Sequence, residues 1–91
     1  MTHDEQVVFL SLCKQIRECQ NMYGGDVYGH SFAITNINNA NRENNFKVKR
    51  LYAIAYSLEK KGYVKIDRNK CVTLSRAGME YVQNLRKQVK K

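Results

Sequence analysis

Phe9, Leu12, Cys13, Ile16 and Cys19 recur at three- and four-residue spacing behind Thr2-His3-Asp4-Glu5. Apolar residues at that period share one face of a helix. Thr followed three residues later by Glu, with acids in the first turn, is a capping box. The pattern predicts a first helix over about 3–22, stopped by Gly24-Gly25. Asp26 to His30 reads as a connector with a brief strand at Val27 and Tyr28.

Across 31–45 a helical period is carried by Phe32, Ile34, Ile37 and Ala40, among six asparagines. A second helix is expected there, ended by Asn44-Asn45, because Asn adopts the left-handed conformation and its side chain caps backbone N–H groups. Val48, Leu51, Ile54, Ala55 and Leu58 then mark the buried face of a third helix, which ends at Lys60-Lys61-Gly62 with cations at its terminus and Gly just beyond.

From Tyr63 the period changes. Tyr63-Val64-Lys65-Ile66-Asp67 alternates, Arg68-Asn69-Lys70 turns, and Cys71-Val72-Thr73-Leu74 returns, which predicts a β-hairpin. Ser75 caps a last helix over about 75–90 with the stripe Met79, Val82, Leu85 and Val89. The expectation is one α+β domain spanning 1–91, small enough that a second copy could complete its core. Stripes on both the first and last helices favour a homodimer through Phe9, Leu12 and Ile16 together with Met79, Val82, Leu85 and Val89.

Charge sharpens this picture. Sixteen Lys and Arg against eight Asp and Glu give +8, and the excess is uneven: residues 1–41 carry −2, residues 42–70 carry +6 and residues 71–91 carry +4. The second half is therefore the part expected to meet a polyanion. The absence of a long apolar run or an apolar leader sets the expectation of a cytoplasmic protein without membrane contact.

Cys13, Cys19 and Cys71, with His3 and His30 isolated, lack the paired spacing of a zinc site, so no metal is expected. Cys13 and Cys19 stand about 9 Å apart along one helix, too far for a bridge. Cys19 and Cys71 are the candidates for a disulfide or for redox sensing, with buried small hydrophobes as the plainer reading. No nucleophile, base and orienting acid are arranged for catalysis, and Gly24-Gly25 with Gly29 does not form a dinucleotide fingerprint. No catalytic residues, cofactor or small-molecule substrate are expected.

The stretch Leu51 to Gly78 carries a family resemblance. Ser57-Leu58-Glu59-Lys60-Lys61-Gly62-Tyr63-Val64 looks like a recognition helix entering a wing, and Val72-Thr73-Leu74-Ser75-Arg76-Ala77-Gly78 like the strand-to-helix exit of MarR-like and PadR-like proteins. Over about 50 residues the chain resembles the winged helix-turn-helix family, with Asn45 where that family usually has a turn glycine. The resemblance implies a three-helix core, a helix-turn-helix over about 31–61, a two- or three-stranded wing over about 63–74, and a C-terminal helix. It also implies sequence-specific binding of double-stranded DNA by a transcriptional regulator, with repression expected ahead of activation. Small basic chains of this plan resemble regulators of archaea and of their viruses and plasmids.

A helical wheel centred on Leu51 agrees with that site. Lys49, Ala53, Tyr56 and Lys60 point away from the buried face, with Arg50 and Ser57 on one flank and Tyr52 on the other. The candidate DNA contacts are Asn45 and Lys47 at the phosphate-facing tip, Lys49, Arg50, Tyr52, Ala53 and Tyr56 on the helix, and Arg68, Asn69 and Lys70 in the hairpin turn. Two alternatives use the same residues: a module that docks an acidic protein through Tyr52 and Tyr56, and a plasmid partition or replication protein.

Overall fold

Thr2 opens helix α1 (His3–Tyr23) through the expected capping box: Glu5 N–H donates to Thr2 Oγ1 at 3.2 Å and Thr2 N–H to Glu5 Oε1 at 2.8 Å. Gly24 closes it at φ 75°. The computed structural model describes residues 1–37 and 46–89, with four α-helices and a three-stranded antiparallel sheet among them. The chain is a mixed α+β protein.

After α1 the structure departs from the sequence reading. Val27–Gly29 is a 3-10 turn and not a strand, because the Asp26 carboxylate accepts the Tyr28 N–H at 3.1 Å and its carbonyl accepts the Gly29 N–H at 2.9 Å. The strand comes later, at β1 (Ser31–Ala33), where a helix was expected. Helix α2 begins at Ile34 and is described to Ile37, so Phe32 belongs to the strand. The expected remainder of that helix, Ala40 and the Asn44-Asn45 turn lie outside the described residues.

Helix α3 (Val48–Lys60) turns Leu51, Ile54, Ala55 and Leu58 inward, as their spacing predicts. It ends in a left-handed glycine motif: Gly62 has φ 88°, its N–H bonds Glu59 O at 2.9 Å, and Tyr63 N–H bonds Leu58 O at 3.1 Å. Strands β2 (Val64–Ile66) and β3 (Cys71–Leu74) form the hairpin, and β1 adds to the other edge of β3, in the order β1-β3-β2. In that register Phe32, Val72 and Ile66 lie side by side on the core face, and Ser31, Thr73 and Lys65 on the other.

Ser75 Oγ accepts the Gly78 N–H at 3.2 Å and opens helix α4 (Arg76–Val89). The first turn of α4 runs close to the hairpin, and a side chain on Gly78 would collide with the Tyr63 carbonyl. Phe9, Tyr63 and Tyr81 form a cluster there, with ring centroids 5.4–5.9 Å apart. The core joins Val8, Phe9, Leu12 and Ile16 of α1 to Ile34, Ile37, the inner face of α3, and Val64, Val72 and Leu74.

That core corrects one expectation. Phe9, Leu12 and Ile16 are 0%, 1% and 2% exposed inside the chain's own core, so they offer no surface to a second copy. Met79 and Val82 are half-buried against the same core and Leu85 is half-buried; the Val89 side chain lies outside the described residues.

Candidate nucleic-acid interface

The four buried residues of α3 leave the opposite ridge to solvent: Lys49, Ala53, Tyr56 and Lys60 are all exposed. Lys47, also exposed, is the N-cap residue and makes no side-chain capping bond, and the first turn of α3 contains no acid. The positive end of the helix dipole and two lysine charges therefore coincide at this end of the ridge.

Each flank of α3 is fastened to a different element. On the α1 side, Arg50 Nη2 lies 2.9 Å from Asp4 Oδ2, and Ser57 Oγ donates to Glu5 Oε2 at 2.7 Å. On the hairpin side, Ile66 N–H donates to Glu59 Oε2 at 2.9 Å, and Lys70 Nζ to the Tyr56 hydroxyl at 2.7 Å. Among the described residues, Asp4, Glu5 and Glu59 are thus engaged at the edges of α3, and the ridge between them displays Lys49, Ala53 and Lys60.

Glu5 is the centre of the α1 flank and the residue the sequence reading underrated. Its role as a helix cap is local and was legible. In the structure it is also 3% exposed and accepts a bond from Lys61 Nζ at 2.7 Å. That ammonium, with the Thr2 N–H and the Ser57 hydroxyl, holds its carboxyl down at about 2 against the opposing effect of burial. A charged acid in a small core is tolerated because it has three donors.

The hairpin turn is built by Asp67, whose Oδ1 accepts the N–H groups of Asn69 at 2.9 Å and Cys71 at 3.0 Å. Asp67 Oδ1 is taken up by this turn, and Arg68, Asn69 and Lys70 are exposed at its tip. The structure thus brings Lys49, Ala53 and Tyr56 onto one face of α3, leaves Lys47 exposed at the N-cap, and places the tip residue Lys70 against the edge of that face. Arg50 is exposed but tied to Asp4. Tyr52 is half-buried against the core, its ring 6.4 Å from that of Tyr56, which makes it a packing group. Asn45 lies outside the described residues.

The three thiols are free, and no bridge joins Cys19 to Cys71. Burial pushes the Cys13 thiol up to about 12, the behaviour of an inert core cysteine. Among the described residues no His, Cys, Asp and Glu side chains gather to hold a metal, and no helix is long and apolar enough to cross a membrane. Compared with known protein families, curated proteins and solved structures, the chain matches none.

Proposed function

We propose that this chain is a winged helix-turn-helix protein that binds double-stranded DNA, with α3 as the recognition helix and the β2–β3 hairpin as the wing. The element order from α2 to α4 supports the reading, as do the motifs from Leu51 to Gly78. The observation that carries it is the exposed ridge of α3: Lys49, Ala53, Tyr56 and Lys60, free of acids, beside a basic hairpin tip. Ala53 in the middle of that ridge lets the helix backbone approach the floor of a major groove, while the lysines meet phosphates at its rims.

Within this reading the protein is a sequence-specific transcriptional regulator that represses by occupying its site. A homodimer would set two copies of α3 about 34 Å apart on one face of the duplex. With the α1 stripe spent inside the core, α4 is the helix left to join the copies, through Met79, Val82 and Leu85.

Fluorescence anisotropy tests the reading directly. The protein is titrated onto duplexes selected from a random pool and onto scrambled controls, at about 50 and 200 mM salt. A specific reader binds its selected duplex at least about a thousandfold tighter than the scrambled one. Ala53→Glu, which sets a carboxylate in the middle of the ridge, abolishes that binding. Equal, weak binding to all duplexes, unchanged by Ala53→Glu, rejects the reading in favour of a protein-docking module.

A further inference from the structure

Lys70 is the one described non-glycine residue in the left-handed region, at φ 61°. L side chains rarely adopt that conformation. The backbone around it is held from both sides: Lys70 N–H donates to Asp67 O at 3.1 Å, and Lys70 O accepts the Ile34 N–H at 3.0 Å. From this fixed position the side chain crosses to α3, where Nζ donates to the Tyr56 hydroxyl at 2.7 Å and stands 5.4 Å from the ring centroid.

The bond uses one of three ammonium N–H groups and one lone pair of the phenol oxygen. Among the described residues, two N–H groups of Lys70 and the O–H of Tyr56 stay unspent on two exposed side chains. An oxygen that accepts a bond from a cation is polarised, and its own O–H becomes the stronger donor. Glu59, an acid whose charge acts on Lys70, has Oε2 turned to the Ile66 N–H. A cationic donor and a hydroxyl donor therefore converge at the seam between α3 and the hairpin. That donor set suits a phosphate oxygen, which favours charge-assisted bonds.

We infer that Lys70 and Tyr56 form a clamp for one backbone phosphodiester of duplex DNA, so that Tyr56 registers the hairpin on the sugar-phosphate strand and does not read a base edge. The inference rests on the DNA reading above. It also gives the left-handed turn a purpose, since the conformation carries the ammonium over to the helix. Phosphate contacts fix register without carrying sequence information, so the clamp's signature differs from that of a base reader.

The test measures affinity and salt dependence for the wild type, Tyr56→Phe, Lys70→Asn and the double variant, on selected and scrambled duplexes. Asn suits the left-handed turn and removes the ammonium. Each single variant weakens binding about tenfold, by the same factor on both duplexes, and Lys70→Asn lowers the slope of log K against log salt by about one. The double variant is within about twofold of Lys70→Asn, since losing either partner empties the clamp. Thermal midpoints fall by no more than the few degrees that one exposed hydrogen bond supports, and equally in each single variant, so the tenfold affinity loss is not a folding loss. Loss confined to the selected duplex, or no loss while Ala53→Glu abolishes binding, overturns the clamp and leaves the DNA reading intact. A wild type without duplex affinity overturns both.

Discussion

Arg50 Nη2 rests 2.9 Å from Asp4 Oδ2, so one of the three cations at the start of α3, beside Lys47 and Lys49, is tied to the first turn of α1. A carboxylate beside a basic ridge competes with the phosphates the ridge is proposed to meet. Asp4→Asn is expected to strengthen duplex binding severalfold and to steepen its salt dependence by about one, because Arg50 then becomes free to displace a counterion. Both partners are partly solvated, so the stability change stays within about 1 kcal/mol. Parallel anisotropy and urea denaturation check the two halves of this prediction.

Glu5 makes stability depend on acid. Its carboxyl titrates near 2 in the folded chain, below the ordinary 4.5, because Lys61, Thr2 and Ser57 bind the charged form. A depressed folded value adds stability that is complete above the unfolded value and disappears as pH falls through the folded one. The contribution is therefore whole above pH 4.5 and is lost between 4.5 and 2. Glu5→Gln is expected to cost about 1–3 kcal/mol at neutral pH and to flatten the fall of the urea midpoint over that window. Denaturation curves at stepped pH for both chains measure it.

Two glycines are required for different reasons, and substitution separates them. Gly62 sits at φ 88° with open space around it, so Gly62→Ala costs about 1–2 kcal/mol from backbone conformation alone. Gly62→Asn recovers part of that, because Asn tolerates the left-handed cap. Gly78 is crowded by the Tyr63 carbonyl, Leu74 and Phe9. Gly78→Ala is expected to cost about 1–3 kcal/mol through overpacking, and Gly78→Asn more than that. Opposite orders of Ala and Asn at the two sites, read from chemical denaturation, are the expected result.

What was legible in the sequence was what is local. The capping box at Thr2, the inner face of α3 and its end at Gly62 each depend on residues within one or two turns, and the alternation from Tyr63 to Asp67 foretold β2. The exposed ridge of α3 followed from the same periodicity. β1 was missed because three residues carry little period, and its pairing with β3 joins Ser31 to Thr73 across 42 positions. The second role of Glu5 was missed for the same reason, since its partners Ser57 and Lys61 lie 52 and 56 residues away. A wheel puts Tyr56 on the outer ridge and Tyr52 on a flank, but it does not show that the core takes Tyr52 or that Lys70 reaches across from the hairpin to hold Tyr56.

Periodicity says that a stripe is buried but not what buries it, and the α1 stripe shows the difference. Assigned to a dimer, Phe9 would be replaceable at the cost of association; in the structure it is 0% exposed between Tyr63 and Tyr81. Phe9→Ala is therefore expected to cost about 3–5 kcal/mol of folding stability, enough to unfold much of a small domain whatever its oligomeric state. Leu85, only half-buried on α4, has the opposite profile. If α4 joins two copies, Leu85→Glu converts a dimer to a 10.6 kDa particle in sedimentation while leaving the circular dichroism of the folded chain in place. A wild type that already sediments as a monomer at micromolar concentration removes the dimer and, with it, the paired half-sites expected of the DNA target.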